Sequence, residues 1–258
     1  MRPGLPFHDA GHGYDLFGLR PESLARALAL GRPLYEHYFR VDSRGVERIP
    51  ASGPVIVVAN HSGALPVDGA MLCLDLLLRS SPPRIPRAVA AWFLPLLPFA
   101  GTLLSRLGVV VGTRANARSL LERGELLVVF PEGIAGVAKR FRDRYQLKEW
   151  SVGHAELAIR YRAPIVPAAI IGAEESWPVA ARLRGGRLLG APYLPVPASP
   201  LPLPVRYHIH YGEPIRFDHV PVDQADDPDA VAECAARTRD ELAELLARGL
   251  RARRGLFR

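Results

Sequence analysis

The chain has 258 residues, 48% of them hydrophobic and 23% charged, which excludes a disordered polymer and suits one large core with a helical appendage. A net charge of +7 admits an anionic partner (phospholipid headgroups, a phosphorylated substrate or nucleic acid), and arginine carries nearly all of it, because lysine occurs only at Lys139 and Lys148. Two cysteines, Cys73 and Cys234, lie in apolar or helix-like runs; this excludes a disulfide framework or a cysteine-rich zinc site and points to a reducing compartment.

The first residues, MRPGLPFHDAGHGYDLFG, lack the charged-then-apolar pattern of a signal peptide. Residues 1–44 are expected to form a helical, membrane-facing segment, and 45–258 an α/β domain. Within the first part, 21–40 reads as a basic amphipathic helix interrupted near Gly31 and Pro33, suited either to a headgroup layer or to packing on the main domain. Val55 to Ala59 is a continuous apolar, mostly β-branched run, the pattern of a buried strand. A helix follows from Gly69 to Leu78, a strand from Arg87 to Ala91, and an apolar helix broken by prolines from Phe93 to Leu107. The stretch from Ala88 to Leu104 contains Pro95, Pro98 and Gly101; it is short and poorly built for a membrane span and suits an interface-dipping segment.

Val109 to Val111 predicts a short strand, Ala115 to Arg123 a short helix, and Leu126 to Phe130 the clearest central strand. Ser151 to Arg162 has helical spacing. Ile165 to Ile171 reads as a strand whose Pro167 predicts an edge or bulged position. Residues 185–204, rich in Gly and Pro, predict an irregular excursion; Val205 to Tyr211 is a last strand and Ala230 to Leu250 a long amphipathic helix. Alternating strands and helices predict an α/β fold with a largely parallel sheet flanked by helices.

Three groups follow the C-terminal ends of these strands, the edge at which open α/β sheets bind ligands. In Asn60-His61-Ser62-Gly63-Ala64-Leu65-Pro66-Val67-Asp68, Gly63 and Pro66 favour a loop that folds back and brings Asp68 to His61. A histidine oriented by a carboxylate is the unit required for general-base removal of a hydroxyl proton. Asp68 is equally placed to cap the following helix, and His61 to satisfy backbone groups. The second group is Phe130-Pro131-Glu132-Gly133, in which Glu132 suits a substrate hydroxyl, a cation or an arginine, and Gly133 permits close backbone approach. In the third, Gly112-Thr113-Arg114, Arg114 stands near a helix N-terminus as a phosphate or carboxylate clamp or as a solvated surface charge. The basic run Lys139 to Tyr145 reads either as a solvated face or as a surface for anionic lipid or donor phosphates.

In this order the groups resemble the motif blocks of the glycerolipid (lysophospholipid) acyltransferase superfamily. His61 and Asp68 are similar to its His-x-x-x-x-Asp block, Gly112 to Arg114 loosely to its second, Phe130 to Gly133 to its Phe-Pro-Glu-Gly, and Pro164 to Gly172 to its hydrophobic fourth. The resemblance runs from about residue 45 to 215. Six residues separate His61 from Asp68 where the core pattern has four; this spacing, with Tyr145-Gln146-Leu147-Lys148, resembles the diacylglycerol acyltransferase-like branch.

The resemblance implies an acyltransferase of that fold, moving an acyl group from acyl-CoA or acyl carrier protein to a glycerolipid or lysophospholipid hydroxyl. His61 acts as base supported by Asp68, and Arg114, Phe130, Pro131, Glu132 and Gly133 bind substrate. Lysophosphatidate, mono- or diacylglycerol or another alcohol fits as acceptor. The resemblance implies no metal, no cofactor besides the acyl donor, no nucleic acid, and a peripheral position on the cytoplasmic face of a membrane. The alternatives are a thioester or ester hydrolase using the same pair, and a non-catalytic lipid-surface binding protein.

Overall fold

The computed structural model describes residues 5–63, 65–94, 99–137, 139–183 and 194–257. Strands β1 (Asp42–Arg44), β2 (Val55–Ala59), β3 (Pro86–Ala90), β4 (Val110–Val111), β5 (Leu126–Val129), β6 (Ile165–Ile171) and β9 (His208–Tyr211) form one sheet in the order β1-β9-β6-β2-β5-β3-β4. The five strands from β6 to β4 are mutually parallel; β9 runs antiparallel to β6, and β1 parallel to β9. The fold is therefore α/β with a largely parallel sheet, as the alternation predicts.

Helices cover both faces, which is why the central strands are apolar throughout and not alternating. Val55, Val57, Ala59, Leu126 and Val128 face α2 (Val67–Arg79), together with Tyr35 and Phe39 from the N-terminal segment. Ile56, Val58, Leu127 and Ile165 face the other way, onto α4 (Arg114–Glu122), α6 (Gly153–Tyr161) and the first part of α8 (Pro228–Ala252). Ala169 and Ile171 meet the later leucines of α8, Leu242, Leu245 and Leu246.

Three expectations are corrected. Gly31 and Pro33 do not break the N-terminal helix: α1 (Pro21–Pro33) continues into a π-turn over Leu34–Tyr38, closed by the Phe39 N–H on the Leu34 carbonyl at 2.8 Å. Pro33 forfeits one main-chain bond, and the widened turn carries Tyr35 into the core. Gly31 serves contact with α2, since a Cβ there would lie 2.7 Å from Leu74 Cδ1.

Pro167 is not at a sheet edge, for β6 lies between β2 and β9 and all seven of its residues are buried. Ala168–Tyr211 is the last pair with β9, so the missing N–H of Pro167 falls where that ladder ends. Gly212 makes room for the ring, as a Cβ there would lie 2.7 Å from Pro167 Cγ. Part of the expected excursion at 185–204 is regular: β8 (Leu194–Pro197) pairs antiparallel with β7 (Val179–Leu183), while 184–193 lies outside the described residues. Its prolines hid a strand that needs only one partner.

The segment around the proline-rich helix predicted from Phe93 is described on either side of 95–98, where α3 (Ala100–Arg106) begins after Phe99. Among the described residues no helix is long and apolar enough to cross a membrane. At the N-terminal ends of the strands, buried Arg84 donates to the carbonyls of Pro50, Gly53 and Gly124, and Arg87 is held between Asp15 and Glu125. A cavity of about 360 Å³ lies at this end, away from His61, which follows the C-terminal end of β2.

At Gly172, which leads from β6 into α7 (Ala173–Ser176), φ is +106° and a Cβ would lie 2.5 Å from the Arg206 carbonyl oxygen. Gly172→Ala therefore lowers folding stability by about 2 kcal/mol or more. Urea denaturation reads this as a lower midpoint at unchanged slope.

Candidate active site

The site is built where β2 and β5 end. Asn60 extends the β2–β6 ladder with its side chain, donating from Nδ2 to the Ile170 carbonyl (2.9 Å) and accepting the Ile170 N–H on Oδ1 (2.8 Å). This fixes the direction in which His61 leaves the sheet. Gly63, at φ +88°, then turns the chain back towards α2. Ala64 lies outside the described residues.

Asp68 falls inside the first turn of α2 and is fully buried. Its Oδ2 accepts from His61 Nδ1 at 2.7 Å and from the Ser62 N–H at 2.8 Å, and its Oδ1 accepts from the Gly69 N–H at 2.7 Å. These donors leave both carboxylate oxygens with hydrogen-bond partners. A proton on Nδ1 shared with that carboxylate leaves the lone pair of the ring on Nε2. Phe130 stacks on the imidazole, with centroids 4.3 Å apart and planes at 27°. Gly69 lets it do so, since a Cβ there would lie 3.3 Å from Phe130 Cζ.

Glu132 is buried and its carboxylate is engaged within the protein. Oε1 accepts the main-chain N–H of His61 at 3.0 Å, and Oε2 that of Lys148 at 2.8 Å. The Lys139 ammonium lies 3.2 Å from Glu132 Oε2 and 3.1 Å from Glu174 Oε1, with all three side chains almost wholly buried. Glu174 in turn accepts the Tyr145 N–H at 2.7 Å. Burial pushes the Glu174 carboxyl up to about 7, against the opposing pull of Lys139. Burial also raises the Tyr145 hydroxyl, which donates to Glu175.

The structure thus brings His61, Asp68, Phe130 and Glu132 together. Pro131 is buried and accepts the Ser151 N–H at 3.1 Å, while Gly133 is exposed at φ +51° and opens α5 (Gly133–Val137). Arg114 is not drawn into this group. It opens α4 beyond β4, two strands past β5, with its side chain 88% exposed and paired to Glu156 at 3.1 Å.

Sequence reasoning missed Glu174 and Gly136 and misplaced Lys139, which opens the basic run read as a solvated face or an anion-facing surface but is buried between Glu132 and Glu174. The available signal was that Lys139 is one of only two lysines in the chain. Gly136 of α5 lies flush on the site, where a Cβ would sit 2.8 Å from the His61 carbonyl oxygen and 2.9 Å from the Cβ atoms of His61 and Glu132. Burial, with the Asp68 charge nearby, pushes the Cys73 thiol up to about 12, and burial lowers His154 to about 4 while its Nδ1 bonds the Ser151 carbonyl. Among the described residues no group of three or more His, Cys, Asp or Glu side chains is placed to hold a metal ion.

A carboxylate-oriented histidine thus stands at the C-terminal edge of a parallel sheet, stacked on the aromatic ring of a Phe-Pro-Glu-Gly turn. The comparisons with known proteins identify the class of protein. The family model described as Acyltransferase matches residues 40–171, and the chain belongs to that family, within the glycerolipid acyltransferase superfamily. An uncharacterized protein of Mycobacterium tuberculosis is 37% identical over 260 residues, covering 95% of this chain and 72% of its own. A bovine protein named DGAT1/2-independent enzyme synthesizing storage lipids is 28% identical over 180 residues, 67% of this chain and 52% of its own. The crystal structure of the 1-acyl-sn-glycerophosphate acyltransferase PlsC from Thermotoga maritima shares the fold, at a TM-score of 0.57 and 18% identity over 90% of this chain and 81% of that one.

Gly136→Ala would push α5 off His61 without touching Asp68, the polar partner of its ring. Turnover is expected to fall at least tenfold while the urea midpoint falls by no more than about 1 kcal/mol equivalent. Steady-state kinetics beside urea denaturation separate the two.

Proposed function

We propose that this acyltransferase moves a fatty acyl group from a thioester, acyl-CoA or acyl carrier protein, to a hydroxyl of a glycerolipid or lysophospholipid. The single observation that carries the reading is the His61–Asp68 pair at 2.7 Å on the C-terminal edge of the sheet. His61 Nε2 takes the acceptor's hydroxyl proton as its oxygen attacks the thioester carbonyl carbon. The C–S bond then breaks, the ester forms, and the imidazolium returns the proton to the departing thiolate. Asp68 holds the ring and stabilises the imidazolium, as carboxylates do in histidine-based triads. Gly133 and Phe130 border the acceptor, with Pro131 and Glu132 supporting that turn; Arg114, on the same edge but outward, is suited to a charged headgroup or donor phosphate. The bovine relative's storage-lipid name favours mono- or diacylglycerol as acceptor, and the bacterial structural neighbour's name favours lysophosphatidate.

His61→Ala and Asp68→Ala are each expected to cut acyl transfer at least ~100-fold with the fold intact. The assay is radiolabelled acyl-CoA with a panel of lysophosphatidate, monoacylglycerol and diacylglycerol, resolved by lipid chromatography. Full activity in either variant overturns the reading. Release of free fatty acid in place of an acylated acceptor would make the enzyme a hydrolase.

The reading also places this edge against the cytoplasmic face of a membrane. Leu65 in the His61–Asp68 loop, Trp92 after β3, and Phe99 and Leu103 at α3 are large apolar side chains left exposed. Arg140, Arg142 and Arg144, exposed after α5, suit anionic headgroups. Trp92→Ala combined with Phe99→Ala is expected to weaken partition onto phosphatidylglycerol vesicles about tenfold in a sedimentation assay, or ~1.4 kcal/mol.

A further inference from the structure

We infer that Lys139 is a positioning residue for His61: its ammonium neutralises the buried carboxylates of Glu132 and Glu174, and so lets Glu132 hold the main chain of the base. The inference rests on the reading of His61 as the base. It starts from an oddity of composition. Of 33 basic residues only Lys139 and Lys148 are lysine, and Lys139 occupies the one place where an ammonium lies between two buried carboxylates, 3.2 Å from Glu132 Oε2 and 3.1 Å from Glu174 Oε1. A compact charge with three rotatable donors fits between carboxylates arriving from different elements.

Glu132 comes from the end of β5, Glu174 from the turn after β6, and Lys139 from the segment after α5. The cluster therefore ties together three of the pieces that surround His61. The connection to the base is direct, for Glu132 Oε1 accepts the His61 N–H at 3.0 Å. Asp68 and Phe130 fix the ring, while Glu132 fixes the backbone from which the ring hangs. A carboxylate holds that N–H more strongly than a neutral carboxyl group.

Without Lys139, two buried carboxylates would face each other, and one would have to take up a proton. Glu174 is already disposed to do so, burial having pushed it up to about 7. The groups around it are Lys139 and the Tyr145 N–H from the 139–148 segment, Glu132 from the end of β5, and neighbouring Glu175, itself paired with Arg253 from the end of α8. In Lys139→Met the folded state would hold a proton that the unfolded chain releases in the ordinary carboxylate range. Because the folded state then binds more protons, stability is retained at low pH and falls as pH rises.

The test compares Lys139→Met, Glu174→Gln, their combination and His61→Ala. At pH 9, where Glu174 ionises against Glu132, Lys139→Met is expected to lower kcat at least tenfold, with KM for donor and acceptor changed less than about threefold. Amide hydrogen exchange at His61 should accelerate at least tenfold, and the melting temperature should fall between pH 6 and pH 9 more steeply than in the wild type. Adding Glu174→Gln should remove that extra slope and recover part of kcat and of the His61 protection, because it removes the repulsion. Wild-type kcat and His61 protection in Lys139→Met overturn the inference, as does a double variant worse than Lys139→Met alone, the mark of lost packing. Should Lys139→Met not fold at pH 6, the double variant is read against Glu174→Gln alone, and equal His61 protection in the two overturns the inference. If His61→Ala keeps its turnover, the general-base reading falls, and His61 exchange in Lys139→Met decides the positioning claim by itself.

Discussion

The arrangement of the site depends on one buried anion. The Asp68 carboxylate has no solvent exposure, and it is satisfied by the His61 ring, the Ser62 N–H and the Gly69 N–H. Hydrogen bonds to a charged group are worth about 1.5–3 kcal/mol each, and a buried charge without them costs several kcal/mol. The loop from His61 to α2 therefore has little freedom: any path that withdrew the ring or the Ser62 N–H would leave the charge unsatisfied. The imidazole is oriented because its partner cannot be left alone.

The same helix carries a second buried carboxylate two turns on. Asp75 accepts from the hydroxyls of Tyr35 (2.5 Å), Ser43 (2.8 Å) and Tyr211 (2.6 Å), and burial raises its carboxyl. Positions seven apart lie on nearly the same face of a helix, so both acids point into the protein from α2. The first orients the His61 ring; the second ties α2 to the π-turn, to β1 and to β9. The N-terminal segment is thereby joined, through one helix, to the carboxylate that holds that ring.

Much of this was legible in the sequence because it obeys local rules. Continuous apolar runs identify β2, β5 and β6 as doubly covered strands, and residues following such strands are candidates for chemistry. Gly63 and Pro66 announce a loop, and a loop of that length returns Asp68 to His61. What stayed hidden is set by partners distant in the chain. Pro167 reads as an edge signal, but its effect depends on where β9 stops pairing, some forty residues on. Gly31 reads as a helix breaker, yet it serves a contact with Leu74 that no local pattern contains. Glu132 reads as suited to a substrate hydroxyl, a cation or an arginine; its carboxylate turns inward to two backbone N–H groups and to the Lys139 cation, partners that no local pattern selects.

That inward turn explains why a Phe-Pro-Glu-Gly sequence suits this position. Phenylalanine supplies the face on which the imidazole stacks, and proline ends the β5 ladder by withholding a donor. Glutamate reaches back to the His61 N–H, and glycine takes the positive φ that starts α5 under the same residue. Gly136, one turn later, allows α5 to lie against His61. Phe130 and Glu132 thus serve one neighbour, and Pro131 and Gly133 shape the turn that carries them. The turn is better understood as the mould in which His61 is set than as a row of independent substrate contacts. Lys139 sets an ammonium between Glu132 and Glu174 behind that mould, where two facing buried carboxylates do not otherwise both stay ionised.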